Sequence, residues 1–321
     1  MRLCRYGAST QRRCMSSWDM EELVGFAVLS EAGSVIADEI WQSRWKVALG
    51  SLTKDVVGFS RAMEENGVVV SGSQALQFVD RVWGLPSGDW DFYIPHDRFD
   101  AFTSYASEVL GRTMEEWAPP EGPSDVEGDP SCGEHPVCVA GVCGRRRIVT
   151  PTGTVDMLRS CTRSALSPIP RFHSTAVMAY VGPTGFSIAY PLAAHERVNV
   201  VASRHLRPAE EAAIDKYEMC GFKKCTDIRT ALRLSGSEIS CVGSGFCPSQ
   251  ERYFGDRFCL SVSYLGPGLL GSHMQTFPDA QVVSWTRGGK GCSRTQCSGF
   301  VRPKAITLTP ALFDMAGALV V

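Results

Sequence analysis

Apolar residues recur along this chain in two rhythms. In Asp55 to Asn66, "DVVGFSRAMEEN", they fall at 56, 57, 59 and 63, the spacing of one helix face, and Gly67 follows as a stop. Ala75, Leu76, Phe78 and Val79 mark another helix over Ser73 to Arg81. Phe99, Phe102, Tyr105 and Leu110 mark a third over His96 to Leu110. Residues 18 to 66 read as mostly helical. Strand runs interrupt these helices. Val68 to Val70 is β-branched, and Trp90 to Ile94 is aromatic-rich and stopped by Pro95. Arg145 to Val149 and Thr154 to Leu158 read as a hairpin around "TPTG". Phe172 to Tyr180 reads as helix and Phe186 to Tyr190 as an alternating strand. Pro208 to Cys220 reads as a helix opened by proline and closed by Gly221. Past residue 222 the pattern weakens to two strand runs, Cys259 to Tyr264 and Gln281 to Trp285, between glycine-rich loops. No internal repeat is present.

This order predicts an α/β (α+β) architecture, a mixed sheet flanked by helices, followed by a smaller, mainly helical or mixed region. The expected division is a basic, unstructured N-terminus over 1–17, a core over 18–200, and a C-terminal region over 201–321. Within the core, Ala118 to His135 holds four prolines and five acids with no lysine or arginine, and reads as a solvated loop.

Composition narrows the class. The 321 residues are 44% apolar, enough for one large domain or two ordinary ones, and the net charge of -2 advertises no nucleic-acid field. No apolar run approaches the roughly 18 residues that span a bilayer. Thirteen cysteines, an odd number in a long chain without a secretory leader, read as reduced thiols in the cytoplasm. Arg2, Arg5, Arg12 and Arg13 open the chain with no acid among the first 17 residues. That pattern is open to two readings, a frayed basic terminus and a mitochondrial presequence.

The candidate chemistry lies between Val68 and Pro95. Gly72, in Ser71-Gly72-Ser73, lets the backbone turn sharply and lets a ligand approach. Ser73 falls at or near a helix N-cap, where free N–H groups favour an anion such as phosphate. An ordinary helix cap is the competing reading. Asp89 and Asp91 flank Trp90 at the mouth of a strand, so they point to one face. Buried like charges that close are costly unless a cation joins them, and Mg2+ binds through one or two carboxylates plus substrate phosphates. A solvated turn with two chance acids is the alternative. Asp156, in "GTVDMLRS", is an acid inside an apolar strand. It reads either as a further metal ligand or as a partner of Arg159 or Arg147.

Gly72-Ser73, then Asp89-x-Asp91, then the apolar strand around Asp156 resemble the nucleotidyltransferase fold of the DNA polymerase beta superfamily. "SGSQAL", "GDWDFY", "RFHSTAVM" and "DKYEMCGF" are similar to stretches of fungal-type members. The likeness spans Gly67 to Phe222, with a gap from Gly-Ser to Asp-x-Asp a little longer than usual. The resemblance implies an Mg2+-dependent (or Mn2+-dependent) transferase moving a nucleoside monophosphate from a nucleoside triphosphate, ATP among them, to an acceptor hydroxyl. Gly72 and Ser73 would hold the phosphates, with Lys216 on a helix that often touches the nucleotide in this fold. Asp89, Asp91 and Asp156 would bind metal, Asp156 also helping to activate the acceptor. The acceptor is open among RNA, protein and a small molecule, and no membrane partner is expected. Two rival readings stand beside this one: a catalytically inactive nucleotide- or partner-binding module on the same fold, and an unrelated α/β protein with structural acids.

Other candidates have blander alternatives. Cys132, His135, Cys138 and Cys143 have a spacing that can hold zinc or simply be unliganded thiols. His173 can contact a ligand or serve as a core or capping histidine. Arg145, Arg146 and Arg147 can meet phosphate or RNA, or pair with acids.

Overall fold

The computed structural model describes residues 20–27, 29–80, 88–111, 115–116, 140–151, 153–202, 206–226, 228–234, 245–264, 281–287, 303, 306–310, 312–313 and 319–320. The basic N-terminus, the acidic loop over 118–135, and Cys132, His135 and Cys138 of the zinc candidate lie outside them.

Among the described residues the order opens with α1 (Met20–Ala27), α2 (Glu31–Gly50) and α3 (Val56–Glu65). The Asp55 side chain accepts from Gly58 N and caps α3. Strand β1 (Val69–Ser71) runs directly into α4 (Gly72–Asp80). Next come β2 (Trp90–Ile94), α5 (Phe99–Leu110), β3 (Glu115–Glu116) and the hairpin β4 (Val142–Thr150) and β5 (Gly153–Ser160). Then follow β6 (Ala179–Gly182), β7 (Gly185–Ile188), α6 (Pro191–His195), β8 (Val198–Val200), α7 (Pro208–Met219), β9 (Lys223–Cys225) and α8 (Ile228–Leu234). Strands β10 (Arg252–Tyr253), β11 (Leu260–Ser263), β12 (Gln281–Trp285), β13 (Ile306–Pro310), β14 (Leu312–Phe313) and β15 (Leu319–Val320) complete the order.

The fold is mixed α/β. Its main sheet has eight strands in the order β11-β7-β6-β1-β2-β5-β4-β3. Every described pairing in it is antiparallel except β2 with β5. Among the described residues no helix is long and apolar enough to cross a membrane.

Alternation along the strands divides the sheet into two faces. Val68 and Val70, Trp90, Phe92 and Ile94, and Val155 and Met157 pack into one core with the helical side chains Trp41, Phe59, Phe78 and Phe102. Aromatic contacts tie it together: Phe59 lies 5.8 Å from both Phe92 and Phe102, and Trp41 lies 4.8 Å from Phe186. The intervening residues face the other way. Val69, Tyr93 and Leu158 meet a second core built from Ile169, Tyr180, Val198, Ile228, Phe254 and Trp285. Asp91 and Asp156 share parity with Tyr93 and Leu158, so the two acids lie on this second face.

One local expectation changes. Phe172 to Tyr180 is not one helix: it is extended chain, a single 3-10 turn over Thr175–Val177, and the start of β6. Ser174 to Tyr180 are all buried, so the segment has no polar face for a helix to expose. Side chains tie it to β8 instead. Asn199 Oδ1 accepts from Ala176 N at 3.3 Å and satisfies the segment's own backbone, while Thr175 Oγ1 accepts from Val200 N at 2.9 Å and satisfies that of β8. Past α8 the two strand runs the sequence marks are strands, β11 and β12. One of them, β11, extends the main sheet by pairing with β7, while β10, β12 and β13 make a sheet of their own.

Candidate functional site

β1 and β2 pair antiparallel with Ser71 opposite Asp91. The chain turns from β1 into α4 at Gly72, whose φ of +69° is a left-handed conformation. A Cβ on Gly72 would lie 2.6 Å from Asp91 Oδ2, so the missing side chain is also what makes room for the carboxylate. The longer stretch between Gly-Ser and Asp-x-Asp therefore leaves the two motifs in contact. The buried Ser71 hydroxyl donates to Ala179 O at 2.6 Å and fixes the turn from the far side. Ser73 falls within the first turn of α4. Its Oγ meets Lys216 Nζ and Tyr217 Oη, each at 3.0 Å, which anchors α7 against α4.

The parallel register of β2 and β5 sets Trp90 opposite Val155 and Asp91 opposite Asp156. Those two acids are side by side on one face, since neighbouring strands lie about 4.8 Å apart. Asp89 is exposed, one step before β2. Its Oδ1 accepts from Thr154 N at 3.1 Å and Thr154 Oγ1 at 2.7 Å. The Thr154 hydroxyl bond is the chief cause that lowers the Asp89 pKa, with the charges of Lys216 and Arg147 helping. A close backbone contact holds this junction: a Cβ on Gly153 would run into the carbonyl of Gly88.

Asp91 is different. Among the described residues it takes no hydrogen bond and no salt bridge. Burial first, then Asp156, then Asp89 push its carboxyl up to about 7, against weaker pulls from Lys216 and Arg147. Asp156 is the opposite case. Arg145 Nε and Nη2 reach its two oxygens at 2.9 and 2.6 Å, and Arg147 Nε and Nη2 reach them at 2.7 and 2.8 Å. A carboxylate offers about four acceptor positions, and two guanidinium forks fill all four. Of the two readings the sequence leaves open for Asp156, pairing with Arg147 is the one observed. Arg145 joins it, while Arg159 pairs with Asp100 at 3.0 Å. Alternation on β4 turns Arg146 the other way, to Asp100 at 2.9 Å.

A cavity of about 460 Å3 opens on this face. Gly72, Ser73, Asp91 and Lys216 form one side. Arg145, Arg171 and His173 contribute to the rest. Burial lowers the Arg171 pKa to about 10, still far above neutral, so the guanidinium stays charged. Lys216 donates to a neutral hydroxyl and lowers both Asp89 and Asp91. The wall therefore sets cations around a half-buried carboxylate, which suits a ligand with anionic oxygens that arrives with a divalent ion.

Asp89 and Asp91 fit Mg2+ by donor type. Asp91 has both oxygens unbonded, and Asp89 Oδ2 takes no hydrogen bond among the described residues. Asp156 fits only if a guanidinium lets go. Accordingly, among the described residues no three His, Cys, Asp or Glu side chains close on one point as a ligand set. No family model, no curated protein and no solved structure matches the chain.

The cavity lining brings together Gly72, Ser73, Asp91 and Lys216 of the candidate residues. Tyr217, beside Lys216 on the same helix, lines it as well, and so does Arg171, which the sequence does not single out. Tyr217 is next to Lys216, and its buried hydroxyl is pushed up to about 12 by burial. Its helical position one residue from Lys216 gave no sign that both side chains converge on Ser73. Replacing Lys216 by methionine removes a charge that lowers both Asp89 and Asp91, so both carboxyls should titrate higher than in the wild type. Carboxyl titration followed by NMR checks this, and unchanged titration of both would show that the Lys216 charge does not reach them.

Proposed function

We propose that this chain is a nucleotidyltransferase with the DNA polymerase beta type of fold. It moves a nucleoside monophosphate from a nucleoside triphosphate to an acceptor hydroxyl, with Mg2+ or Mn2+ as cofactor. One observation carries the reading: Asp91 is a half-buried carboxylate that takes no hydrogen bond among the described residues, raised to about 7 and beside a second carboxylate, at a glycine turn that opens a helix. An uncompensated acid in that place is unfavourable for folding and well suited to a dication.

Each side chain then has a task. Gly72 lets the phosphates approach the backbone at the start of α4, where N–H groups and the helix dipole face outward. Ser73 and Lys216 hold the outer phosphates, with Tyr217 keeping Ser73 in place. Asp89 and Asp91 are the metal ligands, and the bound ion supplies charge neutralisation at the phosphorus under attack and at the leaving pyrophosphate. Asp156 serves as third ligand and orients the acceptor hydroxyl once Arg145 or Arg147 turns away. Phosphate is the natural competitor for a guanidinium fork. RNA, a protein hydroxyl and a small alcohol are the acceptor classes to be separated.

The double arginine clamp also favours a second reading, an inactive module on the same fold that binds nucleotide without transferring it. Labelled nucleoside triphosphates, incubated with Mg2+ or Mn2+ and a panel of RNA, protein and small-molecule acceptors, divide the two. Transfer that disappears in the Asp89→Ala, Asp91→Ala double variant supports the enzyme. Metal-dependent binding with no transfer to any acceptor supports the module, and neither binding nor transfer sinks both.

A further inference from the structure

The hairpin that carries Arg145, Arg147 and Asp156 holds a second chemical feature at its open end. β4 and β5 pair with Val142 opposite Ser160 and Gly144 opposite Arg159, so Cys143 is the extra residue of a β-bulge. Cys161 continues the ladder just beyond β5, its N–H donating to Gly141 O at 2.9 Å. The two thiols thus come from adjacent rungs of one hairpin. Neither is held in a disulfide and both are only partly buried, so solvent species reach them. They are hydrogen-bonded to each other, and the Cys143 Sγ also lies 3.4 Å from Ser160 O.

We propose that Cys143 and Cys161 are a redox modification site, a dithiol that closes to a reversible disulfide by exchange with a low-molecular-weight disulfide. The bulge supplies the backbone slack that cross-strand closure needs, because a disulfide brings its sulfurs to about 2.05 Å.

The environment assigns the roles. The hydrogen bond from Cys161, aided by the nearby Arg159 charge, lowers the Cys143 pKa, whereas the same bond raises that of Cys161. Cys143 is therefore the attacking thiolate and Cys161 the resolving thiol. The Cys143 sulfur attacks one sulfur of the small disulfide, the S–S bond breaks, and one small thiolate leaves with a proton from solvent. Cys161 then gives up its proton and attacks the Cys143 sulfur of the mixed disulfide, expelling the second small thiolate, which is protonated in turn. Two protein thiols lose two electrons, and the small disulfide gains them as two thiols. Val142 and Arg145, on the same strand, line the cavity, so closure ties the redox state of the hairpin to the cavity wall.

The test uses the full chain equilibrated in glutathione buffers of graded poise, quenched by alkylation and mapped by mass spectrometry after tryptic cleavage. Arg145 and Arg159 lie between the two cysteines, so digestion separates them unless they are linked. The expected result is a Cys143–Cys161 linked peptide pair, lighter by two hydrogens than the sum of the reduced peptides. It should grow as the buffer becomes oxidising and vanish on reduction. Cys161→Ser should trap a glutathione adduct on Cys143. Both thiols alkylated at every poise in the folded wild-type protein would overturn the proposal. So would Cys143 linked to a different cysteine.

Discussion

Replacing Asp91 by asparagine should make the protein more stable at neutral pH without metal, and should lower the proposed nucleotidyl transfer by about two to three orders of magnitude. The two effects have one origin. The folded-state pKa of Asp91, about 7, lies above its ordinary 3.8. Such a group favours the folded state while it is protonated. That contribution is present below pH 3.8, is lost as pH rises toward about 7, and stays lost above it. The difference between 3.8 and about 7, at about 1.36 kcal/mol per pH unit, caps the penalty at about 4 kcal/mol. The cavity admits some solvent to Asp91, which reduces it. Asparagine keeps the shape, removes the charge and removes the metal ligand. The wild-type melting temperature should therefore fall relative to Asp91→Asn between pH 4 and pH 7, and millimolar Mg2+ with nucleotide should close the gap. Transfer should drop by about two to three orders of magnitude, as expected when several kcal/mol of transition-state stabilisation are lost. An asparagine variant no more stable than wild type at pH 7.5 would show that Asp91 is not an uncompensated charge.

The second large effect is expected at Gly72. Alanine there must adopt a φ of +69°, a left-handed conformation that costs about 1–2 kcal/mol for a residue with a Cβ. Its Cβ would also lie 2.6 Å from Asp91 Oδ2, closer than real Cβ contacts allow. The carboxylate must then swing aside, which displaces the proposed metal ligand. Gly72→Ala should lower stability by about 1–3 kcal/mol and transfer by at least tenfold. A double-mutant cycle with Asp91→Ala separates the two causes. Once the Asp91 side chain is gone, only the backbone strain should remain. Equal stability losses from Gly72→Ala in both backgrounds would mean that the carboxylate contact contributes nothing.

The sequence carried the site's main axis because that axis is local. Gly72 and Ser73 sit at a strand-to-helix turn, and Asp89 and Asp91 share a face by strand parity alone. The hairpin of Arg145 to Val149 with Thr154 to Leu158 was legible for the same reason. What depends on distant register was not. Pairing of Asp91 with Asp156 follows from a parallel alignment of β2 and β5 that no short motif encodes. The second fork on Asp156 comes from Arg145, two residues from the partner the sequence suggested, because β4 alternation turns both 145 and 147 to the same face. Tyr217 reaches Ser73 across 144 residues of chain. Phe172 to Tyr180 misled for a different reason. Its apolar spacing resembles a helix face, but burial from Ser174 to Tyr180 leaves no solvent side, and its hydrogen-bond partners Asn199 and Val200 lie outside any local window.

Divalent-metal dependence at Asp89 and Asp91 is the claim on which the functional reading stands. Mn2+ binding, followed by electron paramagnetic resonance with and without a non-hydrolysable nucleoside triphosphate, tests it most directly. The expected result is Mn2+ bound by the wild-type protein, held more tightly when the nucleotide is present, and released in the folded Asp89→Ala, Asp91→Ala variant. Equal Mn2+ and nucleotide binding by that variant and the wild type would contradict a metal site at these two carboxylates.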